Sequence, residues 1–373
     1  MAENLVIVNQ SGGHMDIDVA NLAIERYDRV MMLGNFKAVE RRLDNRVESE
    51  NIIRFNKNST IKRLWTWGIG SLQVFWKLLV HYRGWRVLYY TNPPMACWAS
   101  LVLSNKFSIM EYDIYPDALK TIGISERNVL SRLWGRINHR LLKKADKVYT
   151  LSEGMKTCLA KYCDIEKIKV VPLWSASSDF RPLNKEGNPF IIEHALKDKF
   201  IVMYSGNIGY THSVEVLVEV AKVMKDDSDV HFMIIGEGKK KGIIDTEVKK
   251  CGLENVTLLP YQSIQMLPYS LSSADLGVIT LDENVSKVSV PSKTFNLMAV
   301  GAPLLAISND DTEMFNLIQK YQNGRCISKN NIGEMVEYIR ELKNNSMMRK
   351  RYGNNSLNAS KDFTYKNATL YFE

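Results

Sequence analysis

The stretch that decides the fold is Gly277-Val278-Ile279-Thr280-Leu281, followed nine residues on by Val290-Pro291-Ser292-Lys293-Thr294-Phe295-Asn296-Leu297-Met298-Ala299-Val300-Gly301-Ala302-Pro303. The first run is apolar and β-branched, as a buried strand requires. The second opens on Pro291, which suits a helix entry, and closes on Gly301 and Pro303, which stop one. The reading is strand, loop, short helix. It places a single cation, Lys293, beside the N–H groups of a helix start, where a phosphate binds well. A nucleotide is the expected ligand.

Working outward, strand-like runs alternate with helical ones along the whole chain. They fall at 5–8, 30–33, 87–90, 107–111, 147–151 and 168–171, then at 200–205, 231–235, 256–259, 276–280, 303–307 and 324–327. Such alternation predicts parallel sheets with helices on both faces, an α/β fold of two doubly wound Rossmann-like domains facing each other across a cleft. We expect an N-terminal domain over 1–175, a polar, proline-bearing linker over 176–189 and a C-terminal domain over 190–354, with 355–373 packing back on the first. At 373 residues and 45% apolar content the chain can bury two cores.

Ligands of such folds sit beyond the carboxyl ends of the strands. Four loops fall there: Ser11-Gly12-Gly13-His14, the segment Tyr204-Ser205-Gly206-Asn207-Ile208-Gly209, the turn Gly236-Glu237-Gly238, and the Lys293 loop. Each of the first three supplies glycine where a backbone turns tightly or approaches a ligand. Neither of the first two fits G-x-G-x-x-G, so a nicotinamide cofactor is not supported. One such turn is weak evidence; their placement after successive strands is stronger.

Five cysteines, Cys97, Cys158, Cys163, Cys251 and Cys326, lack paired metal-ligand spacing, and their odd number argues against a disulfide framework. Met1 to Asn9 lacks the basic start of a secretory signal, and no apolar run approaches the ~20 residues of a membrane-spanning helix, so a reducing, cytoplasmic location is expected. Charge is uneven. Up to Glu186 there are 28 Lys+Arg against 19 Asp+Glu; beyond it, 21 against 22.

Between Glu50 and Glu111 there is no acidic residue, while Arg54, Lys57, Lys62, Arg63, Lys77, Arg83, Arg86 and Lys106 alternate with Trp65, Trp67, Phe75, Trp76, Tyr82 and Trp85. Aromatics beside cations suit a headgroup interface, so an anionic membrane surface met through residues 51–110 is one reading. The other is an ordinary helix covering a sheet, since Ile61, Trp65, Gly68, Leu72, Phe75 and Leu79 recur at helical spacing. Gly68 and Gly70 are expected to weaken one continuous helix there. No recognised nucleic-acid module accompanies the charge, and no nucleic-acid partner is expected.

The segments Tyr204 to Gly209, Gly236-Glu237-Gly238, Leu259-Pro260-Tyr261-Gln262 and Val290-Pro291-Ser292-Lys293 resemble the retaining family-4 glycosyltransferases of the GT-B fold. The likeness is to the branch that builds bacterial surface polysaccharides, with fucosaminyltransferase-like and colanic-acid-type enzymes. It extends to Thr91-Asn92-Pro93-Pro94 and to Glu111-Tyr112-Asp113-Ile114-Tyr115-Pro116-Asp117 in the first half. The resemblance implies transfer of an N-acetylated or deoxy sugar, with retention, from a UDP-linked donor. The implied acceptor is a saccharide, free or carried on a polyprenyl diphosphate, in capsule, O-antigen or exopolysaccharide synthesis on the inner face of the plasma membrane. No cofactor beyond the donor substrate is implied.

The chain departs from the family in places. An arginine and a lysine that usually neutralise the diphosphate are replaced by Asn207 and His212, and two glutamates with seven residues between them by Val288 and Asn296. Lys293 then carries most of the cationic load. Asp310 and Asp311 are adjacent and lie past the Gly301 turn, so no metal is expected. The resemblance assigns donor contacts to Gly206, Asn207, Gly209, Gly236, Gly238, Leu259, Tyr261, Asp282, Ser292, Lys293 and Asn296, with Leu259 and Tyr261 bracketing the base. Gly12, Gly13 and Asp113 border the acceptor side. Beside Lys293, the catalytic candidates are Asp113 and Glu237, as nucleophiles of a two-step route, and His14, as general base. Each also has a plain alternative, Glu237 as a turn residue hydrogen-bonding sugar and His14 as a loop hydrogen-bonding group. A nucleotide-sugar 2-epimerase and a non-catalytic sugar-nucleotide-binding scaffold remain as rival functions.

Overall fold

The computed structural model describes residues 3–37, 41–117, 128–177, 180–282 and 290–373, apart from the side chain of Leu130. The chain divides into two compact units, Met1–Leu173 with Tyr365–Glu373, and Trp174–Thr364.

The first unit is built on a parallel sheet of seven strands, β1 Asn4–Gly12, β2 Arg29–Phe36, β3 Val47–Glu50, β4 Arg86–Tyr90, β5 Phe107–Glu111, β6 Lys147–Thr150 and β7 Ile168–Val170, in the order β3-β2-β1-β4-β5-β6-β7. Six of these follow the apolar runs of the sequence. The seventh, β3, reads Val-Glu-Ser-Glu and pairs with β2 at the sheet edge, where solvated side chains replace the continuous apolar run of a central strand.

Helix α1 (His14–Ala23) follows β1, α2 (Thr60–Val80) follows β3, a 3-10 turn (Ala96–Leu101) follows β4 and α3 (Val129–Lys144) follows β5. Helix α2 is one uninterrupted element, contrary to the weakening expected at Gly68 and Gly70. Ser59 caps it, its Oγ accepting the Lys62 N–H at 3.2 Å. Gly70 is needed for packing: a Cβ there would come within 2.7 Å of Gln10 Nε2, which donates to the Thr66 carbonyl of the same helix at 2.7 Å. The absent side chain lets β1 and α2 approach, and tertiary contact outweighs helix propensity.

The second unit has a parallel sheet of six strands, β8 Phe200–Ser205, β9 Val230–Ile235, β10 Val256–Leu259, β11 Leu276–Thr280, β12 Leu304–Ile307 and β13 Gly324–Ile327, in the order β10-β9-β8-β11-β12-β13. After α4 (Glu153–Leu159) of the first unit come α5 Pro189–Glu193, α6 Glu215–Val223, α7 Lys241–Lys250, α8 Leu267–Ser272, α9 Lys293–Ala299, α10 Glu313–Tyr321, α11 Ile332–Asn344 and α12 Ser346–Ser360. Helix α9 ends at Gly301, whose φ of +74° is a left-handed stop. Helix α12 packs on α9 through Ser356, whose Oγ donates to the Ala302 carbonyl at 2.7 Å, and so stays with the second unit.

Tyr365–Phe372 form a 3-10 segment that packs on α1 of the first unit, where Tyr149 Oη donates to the Tyr371 carbonyl at 2.8 Å. Among the described residues no helix is long and apolar enough to cross a membrane.

Candidate functional site

Each sheet reverses its strand order once, between β1 and β4 in the first unit and between β8 and β11 in the second. A crevice opens at such a switch point, beyond the strand ends. The β8 loop, Gly206 to Gly209, and Lys293 at the start of α9 lie at the switch point of the second unit.

Hydrogen bonds stitch the loops of that unit together strand by strand. Gly206 N–H donates to Ile235 O at 2.9 Å, Ile208 N–H to Glu237 O at 2.8 Å, and Gly236 N–H to Leu259 O at 2.9 Å. Gly236 (φ +151°) and Gly238 (φ +156°) are forced by this closeness, because a Cβ on either would collide with the carbonyl of Gly206 or of Ile208. The Gly-Glu-Gly turn thus supports the Gly206 loop from beneath. The Glu237 carboxylate points away into an exposed pair with Lys241 at 2.6 Å, which suits the turn role and not a nucleophile.

Lys293 reaches across to this loop. Its Nζ donates to Tyr204 Oη at 2.6 Å and lies 4.0 Å from the centre of the Tyr204 ring. Tyr204 Oη in turn donates to the Asn207 carbonyl at 2.6 Å. A Cβ on Gly206 would stand 2.9 Å from Lys293 Nζ, so the glycine leaves the space the amine uses. Burial pushes the Lys293 pKa down to about 7, and the amine is poised between its charged and neutral forms. His212, at the place of the family's usual lysine, is held near 4 by burial and then by Lys293 and Lys240, and is neutral at physiological pH.

The first turn of α9 contributes less than its position suggests. The amides of Thr294 and Phe295 close onto the carbonyls of Pro291 and Ser292, at 2.9 and 3.2 Å. Recognition of an anion there falls on the Lys293 side chain, with Ser292 exposed beside it. Asn296 is turned to structural use: its Oδ1 accepts the Ser175 hydroxyl at 3.2 Å and the Ala176 N–H at 3.0 Å. Only its Nδ2 is left for a ligand hydroxyl. Val288 lies outside the described residues. Asp282 is tied to the β8 loop by its N–H, which donates to Thr211 O at 2.8 Å. Tyr261 is 54% exposed beyond β10, as a ring that stacks on a base must be. The sequence reading named Tyr204 only as part of a motif. Its signal was a tyrosine at the last fully buried place before the glycine.

The first unit assembles a second group. Asp16, unnoticed in the sequence, is buried under the β1 loop, its Oδ1 accepting Asn9 Nδ2 at 2.8 Å and its Oδ2 the Gly13 N–H at 2.7 Å. Burial outweighs these bonds and raises its pKa. Gly12 is needed because a Cβ would run into the Phe36 ring. His14 is the first residue of α1. Asp113 follows β5, anchored by its N–H to Thr91 Oγ1 at 3.3 Å, and desolvation lifts its carboxyl although solvent reaches it. Glu111 is buried, and burial, then the Asp113 charge, pushes it up to about 8. It is a neutral acid at pH 7.

Among the described residues no three His, Cys, Asp or Glu side chains are grouped to hold a metal.

The family described as "Glycosyl transferases group 1" matches residues 188–359, nearly the whole second unit. The putative colanic acid biosynthesis glycosyl transferase WcaI of Escherichia coli is 25% identical over 300 residues, covering 76% of this chain and 72% of that one. The probable glycosyltransferase WbjE of Pseudomonas aeruginosa is 24% identical over 306 residues, covering 78% and 74%. The crystal structure of Anabaena HepE in complex with UDP and glucose superposes with a TM-score of 0.72 at 14% identity, over 99% of this chain and 97% of that one. Residues 188–359 thus match the group 1 glycosyltransferase family, and the chain as a whole has the GT-B fold.

Proposed function

We propose that the protein is a retaining, metal-independent glycosyltransferase that moves a sugar from a UDP-linked donor to a saccharide carried on a polyprenyl diphosphate, at the cytoplasmic face of a bacterial membrane. The observation that carries this reading is the Lys293 amine, held 2.6 Å from Tyr204 Oη over the Gly206 loop at the switch point of the second sheet. The names of the relatives, one of them tied to colanic acid biosynthesis, favour transfer over epimerisation.

In this reading the diphosphate leaves the sugar with growing negative charge. Lys293 meets that charge as an ammonium, and the open backbone of the Gly206 loop admits the phosphates at close range. The diphosphate raises the proton affinity of Lys293, so the amine gains charge where the reaction needs it. Tyr204 fixes the side chain during the wait. The leaving phosphate takes the acceptor's proton on the face it departs from, which retains configuration without an enzyme nucleophile. That fits the exposed pairing of Glu237 with Lys241.

The test is incubation with UDP-hexoses and UDP-N-acetylhexosamines, with and without a polyprenyl-diphosphate-linked saccharide. A transferase lengthens the lipid and releases UDP. An altered free donor would instead mean epimerisation, and donor binding without turnover a scaffold. Lys293→Ala should cost about 2–4 kcal/mol of transition-state stabilisation. Activity within threefold of wild type would remove Lys293 from the reaction.

A further inference from the structure

Helix α2 is apolar on two sides. Its inner side, Trp67, Gly70, Val74 and Leu78, is buried against the first sheet. Its outer side carries Ile61 (81% exposed), Trp65 (68%), Leu72 (69%) and Trp76 (61%) in one stripe along the helix. At 1.5 Å per residue that stripe is about 22 Å long. A shallow hollow lined by Ile69, Leu72, Phe75 and Trp76 adds to it. An exposed apolar stripe of this size marks an interaction surface, so this outer side asks for a partner.

The neighbouring helix supplies the complementary charge. α2, the 3-10 turn and α3 share one core over the same face of the first sheet, through Val74 and Leu78, Cys97 and Ala99, and Leu141 and Leu142. The two helices also meet through Tyr115, whose ring lies 5.9 Å from that of Trp67 and 5.4 Å from that of Trp134. On its exposed side α3 presents Arg132, Arg136, His139, Arg140 and Lys143. Neither helix contains an Asp or Glu, and the three arginines form no ion pair among the described residues.

We propose that the joint outer surface of α2 and α3 is a docking surface for an anionic lipid bilayer. Trp65, Leu72 and Trp76 enter the boundary between headgroups and acyl chains, and Arg132, Arg136 and Arg140 meet lipid phosphates. The pairing of an uncovered aromatic stripe with an acid-free basic face selects this occupant: a soluble acidic protein would match the charge but not the aromatic stripe, and a second copy would bring like charges together. The inference deepens the proposed function, resting on it only for why an acceptor would be found in a membrane.

The test is flotation of the protein with vesicles of phosphatidylcholine alone and of phosphatidylcholine with about 30% phosphatidylglycerol, an anionic lipid. Stronger binding to the anionic vesicles than to the neutral ones is expected, weakening as salt rises. Neutralising Arg132, Arg136 and Arg140 to Ser together should lower partitioning about a hundredfold, roughly fivefold per cation. Leu72→Ser with Trp76→Ser should remove the part that survives high salt. Thermal stabilisation by UDP, read in parallel, checks that each variant is folded, and it bears on the donor site alone. Equal binding to neutral and anionic vesicles, none to either, or variants that bind like wild type would overturn the proposal. So would a dimer in solution that the Leu72 and Trp76 substitutions split, which would assign the face to a second copy.

Discussion

Replacing Lys293 by Met should make the unliganded protein more stable while weakening its grip on the nucleotide. A lysine at 10.5 in an unfolded chain and about 7 in the native state binds its proton less well when folded. Below pH 7 the amine is charged in both states and the burial penalty is complete. Between pH 7 and 10.5 the unfolded chain holds the proton and the native form has released it, so the penalty shrinks as pH rises; above 10.5 it vanishes. At pH 8 the cost is about 3 kcal/mol, reduced to about 2 kcal/mol because water reaches part of the side chain. Met fills the same volume without a charge, so Lys293→Met should gain about 2 kcal/mol in chemical denaturation at pH 8, and less at pH 10. Binding of a diphosphate should reverse the shift and recharge the amine. Calorimetry of UDP binding at pH 8, in buffers of different ionisation enthalpy, should then show uptake of about 0.9 proton by wild type. The Met variant should show none. Equal uptake by the two proteins, or a variant no more stable than wild type, would refute the argument that a buried amine awaits the phosphates.

Three further outcomes follow from the same site. Tyr204→Phe removes both the acceptor of Lys293 Nζ and the donor to Asn207 O, and should weaken UDP binding by about 1 kcal/mol in the same calorimeter, with the ring retained. Gly236→Ala should displace the Gly206 carbonyl and abolish thermal stabilisation by UDP, whereas Gly242→Ala, with nothing within 4 Å of the new Cβ, should leave it intact and add about 0.5–1 kcal/mol to helix α7. Turnover, followed as UDP release, should persist in excess EDTA; loss restored by magnesium or manganese would show that a metal shares the diphosphate with Lys293.

The sequence was most legible where burial dictates composition. Parallel strands covered on both faces are continuous apolar runs, so Phe200–Ser205 and Leu276–Thr280 announce themselves, and with them the doubly wound fold. Val47–Glu50 did not, because an edge strand satisfies its burial with one side chain. Glycine turns were visible as patterns, but their reasons were not: Gly70 makes room for Gln10, and Gly236 for a neighbouring carbonyl. Least legible were the partners of single polar atoms. Spacing placed Asn296 where the family keeps a carboxylate, yet not its bonds to Ser175 and Ala176, 121 and 120 positions away. Nor could it show that Tyr204 receives the Lys293 amine across 89 residues.

The return of Tyr365–Glu373 to the first unit has a consequence for how the protein is made. The ribosome releases Met1–Leu173 long before the segment that completes it, and all of Trp174–Thr364 is synthesised in between. At ordinary elongation rates that interval is roughly 10–40 seconds. Throughout it, the place that Tyr371 takes beside Tyr90 and Tyr149, 6.3 and 4.8 Å from their ring centres, stands open. The later-born unit, continuous in sequence, has every residue it needs while the earlier one still lacks its last piece. The order of completion thus runs opposite to the order of synthesis, and the nascent first unit is the stage at which a chaperone would find exposed tyrosine to bind.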